Sequence, residues 1–318
     1  MSNEDTARWW ALGLIKSLKK NTEQTLGDHI MPSAPAPRAP KIAPPAPPLS
    51  NVVAAAPRNF TVAPWTGEGD GEKIIIYGPS GMGKTTLAAM APDPVFIGCD
   101  DGGRRIRNPL TGEPVLHVPG IANFRDVQDA LRSHVFDDHT SVVIDTGTVL
   151  QDWAIPHILT TVKHEKGYTV HKFEDYGYGK GFTHLYEAMY SIPVALERLV
   201  HMGKNIILLC QLRGSITGNA GGDDYVKTGP ALYPGGKKGT NNIQAMYCEW
   251  VDHIFRIDWE GATVTDGKIA PVSTRMVRVH PDATFEAKSR SNVFAEYPAV
   301  TFSKPNDDSL WRILFGGR

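Results

Sequence analysis

The sequence predicts an α/β fold, with a mainly parallel sheet flanked by helices and preceded by an N-terminal helix and a Pro/Ala-rich linker. Two observations carry the fold. Short, continuously apolar runs recur at 73–77 (KIIIY), 94–98 (PVFIG), 141–145 (SVVID), 205–210 (NIILLC) and 251–258 (VDHIFRID). Strands buried on both faces read this way, whereas half-exposed strands alternate. Helical segments fall between several of these runs, at 84–91, 123–134 and 182–202, and strands alternating with helices build a parallel sheet.

Composition bounds the reading. The chain has 318 residues, of which 41% are hydrophobic and 21% charged, as in an ordinary globular protein. A net charge of −1 gives no global basic field, so any nucleic-acid site must be a local patch. No run approaches the roughly 20 apolar residues that span a bilayer. Glu4 and Asp5 argue against a transit peptide. The three cysteines, Cys99, Cys210 and Cys248, are odd in number and far apart, which suits reduced thiols in a cytoplasmic protein.

Three segments follow in order: 1–30, 31–58 and 59–318. Residues 3–26 read as an amphipathic helix. Ser2 and Asp5 stand at capping-box spacing, and Trp10, Leu14 and Leu18 recur on one stripe. Such a helix packs on the main domain or docks on a protein partner or a second copy. The proline-studded stretch 31–58 builds no core and reads as a semi-extended spacer. Within 59–318, the helix at 182–202 shows one apolar face, and Pro193 is expected to kink or divide it.

The strongest signal is Gly78-Pro79-Ser80-Gly81-Met82-Gly83-Lys84-Thr85, a full match to G-x-x-x-x-G-K-[ST]. An apolar strand enters it, and a helix beginning at Lys84, Thr85 and Thr86 leaves it. Glycines let the backbone curl so that its N–H groups face phosphate oxygens, and the helix start adds positive dipole. Lys84 reaches the β- and γ-phosphates, and the Thr85 hydroxyl is a ligand for Mg²⁺. The pattern predicts ATP and Mg²⁺ as cofactors. Asp145 ends an apolar strand some 60 residues on and holds the metal through water. Asp100 and Asp101 follow another strand, where one carboxylate can polarise a water; register favours Asp101. Gln211 closes NIILLC on the same edge, placed to sense the γ-phosphate and pass its presence to the next loop.

Together these pieces resemble the RecA-like ATPases, and in particular the compact phage-encoded RecA-core proteins, some of which are single-strand-annealing recombinases. The likeness spans roughly 72–298. It is carried by Ile76-Tyr77-Gly78, Asp101-Gly102-Gly103, Ile144-Asp145-Thr146, Asp175-Tyr176-Gly177 and Lys288-Ser289-Arg290. The family pattern has Glu where this chain has Asp101, a shorter carboxylate that bears on hydrolysis rate rather than on nucleotide binding. The resemblance implies a homo-oligomer with ATP between protomers, Lys288 and Arg290 reaching a neighbour's γ-phosphate. It also implies single-stranded DNA as partner of the loop 213–240, through Arg213, Tyr225, Lys227, Tyr233, Lys237 and Lys238. The expected function is ATP hydrolysis coupled to DNA recombination, annealing or replication in a phage-infected cytoplasm. The alternatives are a partner-remodelling, helicase-loader-like ATPase and an ATP switch with little turnover.

Overall fold

The computed structural model describes residues 69–218, 221–236, 239–265, 268–271 and 274–316, together with Val62. The chain divides into two units, Met1–Ala63 and Pro64–Arg318, and the description concerns the second. The helix expected at 3–26, the linker at 31–58, and Lys237 and Lys238 lie outside the described residues.

The strands are β1 (Lys73–Gly78), β2 (Pro94–Gly98), β3 (Leu116–His117), β4 (Ser141–Asp145), β5 (Asn205–Thr217), β6 (Tyr225–Pro230), β7 (His253–Trp259), β8 (Ala262–Thr265), β9 (Lys268–Pro271), β10 (Arg275–Arg278), β11 (Lys288–Ser289) and β12 (Ala299–Phe302). The helices are α1 (Lys84–Ala88), α2 (Phe124–Arg132), α3 (Gly147–Thr161), α4 (Lys180–His201), α5 (Ile243–Trp250) and α6 (Ser309–Phe315). The main sheet runs β12-β10-β7-β1-β5-β4-β2-β3, with β11 also on β7 and β6 also on β5; β8 and β9 form a separate hairpin. From β7 to β3 every pair along this order is parallel, while β10, β11 and β12 add an antiparallel flank.

The apolar runs follow from two buried faces. Ile75 and Tyr77 face one core with Phe124, Leu150, Leu185, Met189 and Tyr247, so α2, α3, α4 and α5 cover that side. Ile74 and Ile76 face the other core with Leu87, Phe255, Leu310 and Trp311, so α1 and α6 cover the second. Alternate residues of one strand thus enter opposite cores, and both faces of the central strands are buried.

One expectation is narrowed and another corrected. The long helix is not divided at Pro193, because α4 runs unbroken from Lys180 to His201. Proline leaves the carbonyl four residues back without its helical donor. Here that carbonyl is Met189 O, and the buried Tyr247 hydroxyl donates to it at 2.9 Å. The stretch after Gln211 is likewise not simply a loop. β5 continues to Thr217 and pairs antiparallel with β6, from Leu212↔Pro230 to Thr217↔Tyr225. The β-formers Ile216, Tyr225 and Val226 flank a glycine-rich stretch of sequence, which is hairpin chemistry.

Candidate functional site

The carboxyl ends of β1, β5 and β4 meet at one edge. Gly78 pairs with Gln211, and Asp145 sits opposite Leu209, two residues before Gln211 on the same strand. β5 therefore separates the strand entering the glycine loop from the strand ending in Asp145. The loop needs its glycines for different reasons. At Gly78 a Cβ would lie 2.5 Å from the Ile257 carbonyl oxygen of β7. Gly81 and Gly83 take φ of +78° and +89°, the left-handed region that glycine enters without a Cβ penalty. Pro79, Ser80 and Gly81 are exposed at the apex, Met82 turns inward, and Thr86 is half-buried beyond Thr85.

Lys84 is 7% exposed. Its Nζ donates to Gly78 O and Pro79 O, both at 2.9 Å, and to Gln211 Oε1 at 3.2 Å. An ammonium has three donors, so the loop and Gln211 hold all three. Burial lowers the lysine's proton affinity, against the pull of Asp145, Cys210 and Asp100. Thr85 Oγ1 donates to Asp145 Oδ2 at 2.8 Å. Asp145 is 4% exposed, and burial pushes its carboxyl up to about 6; the Thr85 bond and the Lys84 charge oppose this, and Asp100 adds to it. A hydroxyl and a buried carboxylate side by side suit Mg²⁺, a hard cation that takes one or two protein oxygens and keeps several waters. Thr85 and Asp145 would hold it.

The acidic pair separates by role. Asp100 caps a short 3₁₀ turn by accepting from Gly102 N at 2.8 Å, and its charge reaches both Lys84 and Asp145. Asp101 lies in solvent beside Arg104 at 3.4 Å. Both aspartates are exposed, and Asp100 is the one whose charge is felt at Lys84 and Asp145. Both carboxylates line a cleft of about 520 Å³ that also reaches Phe96, His117 and Asp145.

Lys288 and Arg290 do not approach their own chain's loop. Lys288 pairs with Ile254, and Ile254 with Ile75, near the amino end of the sheet. Lys288 Nζ donates to the carbonyls of Cys248, Glu249 and Val251 at 2.8, 3.2 and 2.6 Å, closing the end of α5. Arg290 bonds Asp252 Oδ1 at 2.9 Å and Glu249 O at 2.8 Å, which leaves other N–H groups of its fork uncommitted.

On the β5–β6 ribbon, Arg213, Tyr225 and Lys227 share one face by alternation. Arg213 is exposed. Lys227 pairs with Glu286 at 2.7 Å, and Tyr233 stacks on Phe182 with centroids 4.7 Å apart. Both are thus engaged within the chain. The opposite face shows Ile216 and Val226, which are cross-strand partners and exposed.

Sequence reasoning missed two supports. Thr148 Oγ1 accepts from Gln211 N at 3.1 Å, anchoring Gln211 to the start of α3. Arg275 donates to Met82 O at 2.9 Å from 193 residues away. No local pattern announces either.

The mainly parallel sheet, its glycine loop and the Thr85–Asp145 pair define the class: a P-loop ATPase with an α/β core. The sequence profile of the AAA domain matches residues 70–291, and the chain belongs to that family. No curated protein matches it in sequence. Among solved structures it is similar to the flagellar accessory protein FlaH from Methanocaldococcus jannaschii, at 12% identity over 66% of this chain and 78% of that one, TM-score 0.32. It is also similar to the KaiC-like protein PH0186 from Pyrococcus horikoshii OT3, at 14% identity over 74% and 88%, TM-score 0.35. Among the described residues no helix is long and apolar enough to cross a membrane.

Proposed function

We propose that the protein hydrolyses Mg-ATP and uses the β5–β6 ribbon to couple the γ-phosphate to single-stranded DNA, in the recombination, annealing or replication role that its RecA-core resemblance implies. One observation carries the coupling. Gln211 holds Lys84 at one end and belongs to the strand that continues unbroken into the ribbon.

In this reading Lys84 moves its N–H groups from the loop carbonyls to β- and γ-phosphate oxygens. Gln211, released from Lys84, is free to take a γ-oxygen, and β5 transmits the change. When bound, magnesium supplies positive charge against the β- and γ-oxygens. Asp100 orients the attacking water and accepts its proton as the γ-phosphoryl group leaves ADP. Arg290 is the cation suited to act on a neighbouring protomer in a homo-oligomer, since Lys288 has spent its three donors on α5.

The test is phosphate release with and without single-stranded DNA, by wild type and by Arg213→Ala/Tyr225→Ala. DNA stimulation that the double variant loses supports the reading; turnover indifferent to DNA removes it. A second reading has its own observation. The exposed pair Ile216 and Val226 suits a protein surface better than a phosphate backbone, which favours a remodelled protein partner. Stimulation by such a partner, lost in Ile216→Ser/Val226→Ser, would select it.

A further inference from the structure

We infer that Arg275 is a positioning residue of the phosphate loop, holding the Met82–Gly83 peptide with its N–H turned toward the phosphates. The inference rests on the nucleotide-binding reading above. Arg275 lies on β10, in the antiparallel flank outside the nucleotide edge, and its Nη1 donates to Met82 O at 2.9 Å. In a trans peptide the carbonyl and the N–H point in opposite directions. A donor that grips the Met82 oxygen from outside the loop therefore fixes where the Gly83 N–H points.

Four observations make the grip rigid. The guanidinium lies over the Phe302 ring, 5.7 Å from its centroid. Phe302 is the register partner of Arg275 on β12, and Trp259 is its partner on β7. Gly83, at φ +89°, has the arginine packed so close that a Cβ there would collide with Nη1. Met82 itself is 3% exposed.

The contact does more than hold shape. A carbonyl that accepts a charge-assisted bond polarises its own peptide, and the N–H at the other end becomes a stronger donor. Successive inward N–H groups in a left-handed turn form an anion nest. Arg275 thus strengthens one member of that nest and adds a fixed positive charge one peptide away, without touching nucleotide.

The experiment is calorimetric titration of the full chain with Mg-ADP, comparing wild type, Arg275→Met, Arg275→Lys and Lys84→Ala. The Gly83 amide proton resonance is recorded in the nucleotide-free proteins. Arg275→Met is expected to bind about tenfold more weakly, the worth of one charge-assisted bond. Arg275→Lys, which keeps charge and one donor, should stay within about threefold of wild type. The Gly83 resonance should move upfield in Arg275→Met and less in Arg275→Lys. A merely structural role would lower the unfolding midpoint without moving that resonance or ranking Lys above Met. Should Arg275→Met not fold, Arg275→Gln takes its place, being too short to span the gap, with the same expected weakening. Affinity equal to wild type in the Met or Gln variant, while Lys84→Ala loses binding, overturns the role of Arg275 and leaves the nucleotide site standing. Failure of wild type to bind Mg-ADP overturns both.

Discussion

Asparagine at position 145 should make the nucleotide-free protein more stable at neutral pH while ending its use of nucleotide. Asp145 is buried, and its carboxyl titrates near 6 against an ordinary 3.8. A raised pKa means the folded state holds its proton more tightly than the unfolded chain does. The stabilisation from this group is complete below 3.8 and is lost as pH rises through about 6. The shift is about two units, and each unit is worth about 1.4 kcal/mol, so wild type forfeits about 3 kcal/mol by neutral pH. Asparagine never ionises, and its amide oxygen still accepts the Thr85 hydroxyl. Asp145→Asn should therefore match wild type near pH 4 and exceed it by about 2–3 kcal/mol at pH 7.5. Urea unfolding at both pH values, with chelator present, reads the difference directly. An Asn variant no more stable than wild type at pH 7.5 would refute the claim that this carboxylate is held at a cost for function.

Other outcomes follow from the same contacts. Thr85→Val should abolish the dependence of nucleotide affinity on added magnesium, checked by titrating Mg²⁺ at fixed ADP; unchanged dependence would take Thr85 out of the metal site. Lys288→Met should lower stability by about 2 kcal/mol, because the Cys248 and Val251 carbonyls lose their donor while Glu249 O keeps Arg290, read from the urea midpoint, without weakening Mg-ADP binding. Tyr247→Phe strands the Met189 carbonyl inside α4 and should cost about 1–2 kcal/mol. Adding Pro193→Ala restores a backbone donor to that carbonyl, so the double variant should recover part of the loss; no recovery would mean that the tyrosine matters only for packing.

Much of the core is legible in the sequence because burial on both faces leaves an unmistakable trace. KIIIY, SVVID and NIILLC each supply two cores at once; SVVID ends in an aspartate, and KIIIY and NIILLC are followed one residue on by a glycine and a glutamine. Position at the end of an apolar run is enough to make Asp145 and Gln211 candidates, although β5 itself continues past Gln211 to Thr217. The ribbon is less legible, since glycines around its turn dilute the strand signal of Ile216, Tyr225 and Val226. Helix α3 shows no clean stripe, as apolar residues lie on several of its sides and Pro156 interrupts it. Asp100 and Asp101 differ by one residue, and sequence position alone does not reveal the turn that Asp100 caps. Arg275 and Thr148 act through contacts made far away in the chain, so their roles emerge only once β10 and α3 are in place. The fate of Pro193 depends on Tyr247, a partner on another helix that periodicity cannot reveal.

The most direct test of the whole account is release of phosphate from Mg-ATP by the full chain, beside Lys84→Ala. The arrangement of Lys84, Thr85, Asp145 and Gln211 predicts steady turnover in wild type and none above background in the variant. Release that is equal in the two proteins would contradict the assignment of this edge as the site of ATP hydrolysis.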